Sequence, residues 1–122
     1  MLRAWDRSRA DAYATGDLAA LKRLYVPSST AGAADVAVLR AYLRRGVRVE
    51  GMSMQLLAVD VLAVGPRRVR LRVTDRVAGA TAVAARSWTR LPADAASTRV
   101  VELRRASRDT TWRVAAVRDV SG

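Results

Sequence analysis

The chain contains no cysteine and no histidine. Without cysteine, disulfide bonds and thiolate metal sites are excluded. Without histidine, the chain lacks the commonest general base and the commonest metal ligand, so no Ser–His or Cys–His catalytic pair can form. Only carboxylates remain as metal ligands, and no loop has the acidic spacing of a calcium site. We therefore expect neither a metal ion nor a cofactor.

Phenylalanine and isoleucine are absent as well, and the apolar residues are mostly small, with 24 Ala and 17 Val against 12 Leu. Three Trp, three Tyr and three Met must supply the remaining bulk of the core. A core built from so many small side chains can leave a cavity, which is a binding site by default. The length of 122 residues predicts one domain.

Lysine is scarce although the chain is basic: 22 basic residues face 11 acidic ones, and Lys22 is the only lysine. The net charge of +11 raises the hypothesis that the protein docks on polyanions such as nucleic acid or an anionic membrane surface. The basic residues are spread along the chain, however, and no motif of a nucleic-acid-binding domain accompanies them. The preferred interpretation is a solvated basic surface with no specific nucleic-acid partner.

Long apolar runs are also missing, and none approaches the ~20 residues of a transmembrane helix, so no transmembrane segment is predicted. We expect no signal peptide in these residues, because the sequence starts with a charged amphipathic helix. The apolar face of this helix is predicted to hold Leu2, Trp5, Ala12 and Tyr13, and its polar face Arg3, Asp6, Arg7 and Asp11. The chain as it stands is expected in the cytoplasm, whereas an upstream anchor or leader would make it extracytoplasmic.

Apolar residues recur at helical spacing in the first third of the chain and alternate with polar residues afterwards. The pattern predicts helices at about 2–15, 17–25 and 34–45. It predicts strands at about 47–64, 69–77, 81–90, 99–106 and 110–118, with turns at 65–68, Ala78-Gly79 and Arg108-Asp109. Three helices followed by antiparallel strands indicate an α+β fold in which the helices pack on one face of a strongly bent antiparallel sheet.

Short motifs mark the junctions of these elements: Leu2-x2-Trp5, Gly16-Asp17-x3-Leu21, Leu24-Tyr25 and the closing Trp112-Arg113-Val114. In this order they resemble the nuclear transport factor 2-like (SnoaL-like) superfamily, and the strand Arg72–Arg76 resembles its uncharacterised actinobacterial members. The resemblance covers residues 1–122. It implies a single cystatin-like, cone-shaped domain with a ligand pocket between the helices and the concave sheet. It implies no particular reaction, because members include enzymes, ligand binders and interaction modules.

Ketosteroid isomerase is an enzyme with this cone shape, but its catalytic pattern is not found here. Arg9 stands where the resemblance would place its helix tyrosine. The segment 26–34, which would hold its catalytic base, contains no acidic residue. The resemblance therefore does not imply that activity.

A different acidic pair is predicted from the first hairpin. If Pro66-Arg67 forms the tip, Asp60 faces Val73, and Asp75 is a diagonal neighbour about 7–8 Å away on the same face. Two carboxylates on an apolar surface do not easily both stay charged. One of them is expected to have a raised pKa and to act as an acid or a base.

A turn at residues 78–79 would bring Arg86 and Trp88 to the same face as the two carboxylates. The structural alternative is that each carboxylate pairs with an arginine, Asp60 with Arg86 and Asp75 with an arginine of a helix. A shift of one residue in the hairpin would also send both carboxylates to the outer face.

The opposite face of this hairpin is predicted to combine apolar and basic residues, Leu57, Val59, Val61 and Ala63 with Arg68, Arg70, Arg72 and Arg76. This face is either solvated, with arginine stems over the valines, or a dimer surface, since the resemblance implies pairing through the sheet. We expect a homodimer. In the last hairpin, the predicted register pairs Leu103 with Val114 and places Arg105 on Trp112 in a cation–π contact.

The candidate ligand-binding residues are Trp5, Tyr25, Tyr42, Met54, Arg86, Trp88 and Trp112. Core packing is the alternative for the aromatic and Met residues among them. The preferred interpretation is a non-catalytic module that binds a small apolar molecule or another protein through a hydrophobic pocket. The first alternative is a cyclase- or isomerase-type enzyme with Asp60 or Asp75 as acid or base. The second is a basic module that docks on polyanions.

Overall fold

The computed structural model describes residues 2–92, 95–106 and 111–120. In this part of the chain, helices α1 (Leu2–Thr15), α2 (Leu18–Lys22) and α3 (Thr30–Arg44) precede the strands. The strands are β1 (Arg48–Val64), β2 (Arg68–Ala84), β3 (Ser87–Arg90), β4 (Ser97–Arg104) and β5 (Arg113–Asp119). The chain therefore forms an α+β fold with an antiparallel sheet and three helices.

The start of α3 differs from the prediction because of a capping residue. Ser29 accepts a hydrogen bond from the backbone N–H of Gly32 at 3.0 Å and thereby satisfies one of the free donors of the first turn. The helix consequently begins at Thr30 and not near residue 34. Residues 30–33, which lie between the predicted helices 17–25 and 34–45, are therefore helical.

Helix α2 is shorter than the predicted range 17–25 because the chain leaves the helix to join the sheet. Val26 donates a backbone hydrogen bond to Val114 of β5 at 2.8 Å, and Val114 donates to Leu24 at 2.9 Å. This short parallel bridge is centred on Tyr25 and Val114. It covers the outer edge of β5 and fixes Tyr25 against the sheet.

The sheet has the order β1-β2-β4-β5, and β3 pairs with the second half of β2. Strand β2 continues through Ala78-Gly79, so the turn predicted there is wrong. The reason is that β1 extends the ladder past this point, with Ser53 paired to Gly79. The predicted strands 69–77 and 81–90 are therefore one long strand followed by the short β3.

A β-bulge in β1 reverses the predicted direction of Asp60. The hairpin turns where predicted, but the register shifts by one residue between Val61 and Ala63. Asp60 consequently lies opposite Arg72 and is exposed, whereas Asp75 is buried on the inner face. The predicted pair of Asp60 and Asp75 is not formed, because an extra residue in one strand flips the faces of the residues that follow, here as far as the next register shift between Leu56 and Ala58.

The same bulge overturns the predicted outer face of alternating valine and arginine. Val59 and Val61 pair with Val73 and Leu71, which belong to the buried inner face. Strand β1 is nevertheless an edge strand, and the large apolar side chains in its half next to the hairpin turn remain 41–74% exposed. We call them the β1 edge patch: Leu57, Val59, Val61, Leu62 and Val64.

The last two strands follow the predicted register where β4 ends and β5 begins. Leu103 pairs with Val114, and the Arg105 guanidinium lies 4.7 Å from the centroid of the Trp112 ring. The predicted cation–π contact is thus confirmed. The predicted tip at Arg108-Asp109 lies outside the described residues.

The helices pack on the inner face of the sheet, where Leu21, Leu39 and Leu103 are fully buried. Tyr13 of α1 belongs to the same core. Among the helices that the structure describes, none is long and apolar enough to span a membrane.

Candidate functional site

A cavity of about 210 Å³ lies between α1 and the inner face of the sheet. Much of its wall is apolar, but four of its charged side chains come from three different elements. We call them the charged quartet: Asp6 and Arg9 of α1, Asp75 of β2 and Arg99 of β4. Partly buried charges interact more strongly than charges on the open surface.

The carboxylate of Asp35 in α3 lies behind Arg9 and Tyr25, which form part of the cavity wall. It accepts hydrogen bonds from α1 and from the segment after α2. Arg9 donates to it from Nε at 2.7 Å and from Nη2 at 2.9 Å. Tyr25 donates from its hydroxyl at 2.7 Å, and Tyr13 donates to the other carboxylate oxygen. We call this group of four residues the Asp35 network. A bidentate pair of this kind is geometrically specific and fixes the Arg9 side chain.

The Asp35 network has little capacity to exchange protons near neutral pH. Burial alone would raise the pKa of Asp35, but the hydrogen bonds and charge of Arg9, with the hydrogen bonds of the two tyrosines, lower it below 3.8. Burial and the neighbouring carboxylate raise the pKa values of Tyr13 and Tyr25 above their ordinary range. The network is therefore one ion pair with two neutral phenols, and it serves as a rigid wall.

Two further contacts hold Tyr25 in this wall. Trp5 donates from its indole nitrogen to the carbonyl of Leu24 at 2.9 Å and packs edge-on against the Tyr25 ring, with centroids 5.4 Å apart. On the other side, a Cβ at Gly32 would lie 2.7 Å from the Cβ of Tyr25. Only glycine permits this close approach of α3 to the ring.

The second buried carboxylate, Asp75, is 4% exposed and pairs with Arg99, whose Nη2 donates to it at 2.6 Å. Asp75 thus pairs with an arginine, as in the structural alternative given above, but this arginine belongs to β4 and not to a helix. The Nε of Arg99 is buried and has no hydrogen-bond partner in the described part of the chain. The guanidinium therefore has donor capacity that Asp75 does not use.

Asp6 is the member of the quartet that can exchange a proton. Burial, followed by the negative charge of Asp75, raises its pKa from 3.8 to about 6, against the opposing charges of Arg9 and Arg99. A carboxyl with this pKa is present in both protonation states near neutral pH and can donate or accept a proton. The carboxyl that interacts with Asp75 is therefore that of Asp6 and not, as the sequence predicted, that of Asp60.

Four of the candidate residues named from the sequence meet at this cavity. Trp5, Tyr25, Met54 and Asp75 all line it. They come from α1, from the segment after α2, and from the two long strands. The long hairpin and the bridge to β5 are therefore what bring them together.

The other five candidates lie elsewhere. Tyr42 and Trp112 are partly buried and pack against the core, outside the cavity lining. Trp88 is 72% exposed on β3, and Arg86 lies in the turn before it, because β2 does not turn at residues 78–79. Asp60 is exposed on the outer face. The predicted pairing of Asp60 with Arg86 is not formed.

Sequence reasoning missed the charged residues of α1, because Asp6 was assigned to the polar face of the helix. The signal was present: Leu2, Asp6, Arg9 and Tyr13 follow one another at spacings of four, three and four. This spacing places them on one face of a helix, so two opposite charges interrupt an apolar stripe. Arg99 and Asp35 carried no comparable local signal. No cluster of acidic side chains in the described residues is arranged to hold a metal ion.

Comparison with known proteins identifies the fold but not a family. No protein-family model matches the chain, and no curated protein matches its sequence. Among solved structures, Aln2 from a Streptomyces species is similar, with a TM-score of 0.61 and 14% identity over 97% of this chain and 87% of that chain.

Two further solved structures are similar over nearly the whole chain. A Catenulispora acidiphila protein in complex with S-DNPA has a TM-score of 0.56 and 12% identity, covering 95% of this chain and 87% of its own. An uncharacterised Caulobacter vibrioides protein with a cystatin-like fold has a TM-score of 0.52 and 12% identity, covering 98% and 87%. At such identities the likeness shows the fold alone, and that fold is cystatin-like.

Proposed function

We propose that the chain is a non-catalytic binding module, a single domain of the nuclear transport factor 2-like type, whose cavity takes a small and largely apolar molecule with one polar group. The observation that carries this proposal is the charged quartet in a cavity whose wall combines polar and apolar surface. Burying charges is unfavourable unless they are paired, and a core built only for stability would fill this space with apolar side chains. A binding site, in contrast, needs a few polar groups among apolar walls to orient its ligand.

The side chains that line the cavity restrict the class of ligand that it can bind. Trp5, Met54 and Val117 offer apolar contacts, and Arg99 offers donor capacity to an oxygen acceptor. The ligand we propose therefore has a flat or compact apolar body and one carbonyl, carboxylate or hydroxyl oxygen. The complex of the similar Catenulispora acidiphila protein with S-DNPA supports a small-molecule ligand in this fold.

We expect S-DNPA to bind the purified protein and Met54→Trp to weaken that binding at least tenfold, or about 1.4 kcal/mol. The larger side chain would fill space inside the cavity, which Met54 lines. Isothermal titration calorimetry measures the affinity. Ala58→Trp, on the same strand but exposed and outside both the cavity and the β1 edge patch, is the matched control and should bind like the unmodified chain.

Equal losses in both tryptophan variants would contradict the cavity as the binding site. Absence of S-DNPA binding, combined with no small molecule retained by the protein in native mass spectrometry, would contradict the binding function itself. Mass spectrometry of the compound recovered from the complex separates a binder from an enzyme, because a binder returns it unchanged.

The second candidate function is acid–base catalysis of the cyclase or isomerase type. The specific observation in its favour is Asp6, whose pKa of about 6 suits proton transfer near neutral pH. The negative charge of Asp75 contributes to this raised pKa, after burial. A chemically altered compound in the recovered sample, formed by the unmodified chain and not by Asp6→Asn, would favour this function over simple binding.

We also propose that the chain forms a homodimer through the sheet, at the β1 edge patch. An exposed apolar edge strand promotes pairing with another chain, and natural proteins usually protect such edges. Val61→Lys is expected to convert the dimer to a monomer in analytical ultracentrifugation. Val38→Lys, which changes an equally apolar but isolated exposed position on α3, should leave the dimer intact. A monomer for the unmodified chain would contradict the proposal.

A further inference from the structure

A second concave surface lies on the far side of Tyr25 from the cavity. This groove, of about 670 Å³, runs between the end of α2, the following segment and the outer side of α3. Its floor is apolar or small and includes Val26, Pro27, Gly32 and Val36. We call it the α2–α3 groove. Its volume is in the range of small-molecule sites.

The charge of this groove has one sign. Lys22, Arg23 and Arg40 border it, and none of its lining residues is acidic. These three cations make no salt bridge with any residue that the structure describes. Arg113 of β5 also borders the groove and donates from Nε to the carbonyl of Arg23 at 3.2 Å, which joins β5 to the end of α2.

The grouping of cations around an apolar floor has a physical consequence. Like charges that share one concave surface repel each other, and an anion among them relieves that repulsion. Covering the apolar floor is also favourable, because it removes apolar surface from water. A ligand that satisfies both features has an anionic head and an apolar body.

We propose that the α2–α3 groove binds a small anionic amphiphile, with its carboxylate between Lys22, Arg23 and Arg40 and its apolar body on Val26 and Val36. The site is separate from the cavity of the charged quartet, although Tyr25 borders both. Binding here does not depend on the function proposed for the cavity. Ala33 lies in the groove and is exposed, so its substitution can block the floor without disturbing the core.

The probe is octanoate, compared with 1-octanol and octylammonium, which have the same apolar chain with no charge or the opposite charge. We expect binding in the order octanoate, octanol, octylammonium, with the amide signals of the groove residues shifting in NMR spectra. Ala33→Trp should lower octanoate affinity about tenfold. Ala37→Trp, exposed on the same helix but outside the groove, should not. Arg40→Gln should lower the affinity for octanoate and leave that for octanol unchanged.

Several results would overturn the proposal. Equal affinity for octanoate and octanol would show that the cations take no part. Equal losses in the Ala33 and Ala37 variants would place the ligand elsewhere. Shifts confined to the cavity residues Asp6 and Asp75 would assign octanoate to the cavity, and no binding of octanoate would remove the site altogether.

Discussion

Asp35→Asn is expected to lower the free energy of unfolding by about 3–5 kcal/mol, because removing one partner of a buried ion pair leaves the other charge uncompensated. The carboxylate accepts two hydrogen bonds from Arg9 and one from each of Tyr13 and Tyr25, and it is only 9% exposed. An amide cannot accept all four, and its N–H group would face donors. Urea unfolding at neutral pH, followed by tryptophan fluorescence, measures the effect.

The control is Asp11→Asn, an exposed aspartate on α1, which should change the stability by less than about 0.5 kcal/mol. Adding Arg9→Met to Asp35→Asn should restore part of the loss, because the buried guanidinium is then no longer without a counter-charge. A loss below about 1 kcal/mol for Asp35→Asn alone would contradict the role given to the network.

The contribution of Asp35 to the free energy of unfolding should decrease at low pH. The folded-state pKa of Asp35 is lowered from 3.8, so its contribution is fully present above that value. The contribution is lost as the pH falls through the lowered folded-state pKa. The difference between the unmodified chain and Asp35→Asn should therefore shrink below pH 3.8.

How far the sequence predicts this fold depends on which interactions decide each element. Helix α1 was predicted at its observed bounds because the spacing of apolar residues decides it locally. The start of α3 was missed although Ser29 is a common capping residue, because the six small or polar residues at positions 30–35 separate it from the apolar stripe that begins at Val36. Local pattern alone also cannot show that β2 passes through Gly79, since that depends on pairing with the distant Ser53.

The candidate site was harder to predict than the elements, because a bulge decides which face Asp60 takes and because distant elements supply the other charges. Alternation in β1 and β2 placed Asp75 correctly on the inner face and Asp60 incorrectly. No residue type at positions 61–63 marks the bulge, since valine, leucine and alanine fit a regular strand equally well. The partnership of Asp6 with Asp75 joins positions 69 residues apart and follows from the packing of α1 on the sheet.

Asp6→Asn is expected to stabilise the protein by about 1–2 kcal/mol at pH 8 and to leave its stability nearly unchanged at pH 4. The folded-state pKa of about 6 lies above the value of 3.8 for the unfolded chain, so the folded state loses stability as the pH rises from about 4 through 6. A shift of about two pKa units corresponds to about 3 kcal/mol, which we reduce because the side chain is partly exposed and screened. Asparagine stays neutral and avoids this loss.

The measurement is the free energy of unfolding of both chains across this pH range, with Asp11→Asn as the control on the same helix. Titrating groups that do not interact with Asp6 contribute equally to both curves, so the difference reports Asp6 together with its coupling to Asp75. A difference that does not vary with pH, or a variant less stable at pH 8, would contradict the burial of Asp6 beside Asp75. If the difference follows the prediction, the chain keeps at its cavity a carboxyl that costs it stability at neutral pH. Such a cost is typical of residues retained for binding or catalysis, so this experiment bears on the function of the cavity before any ligand is known.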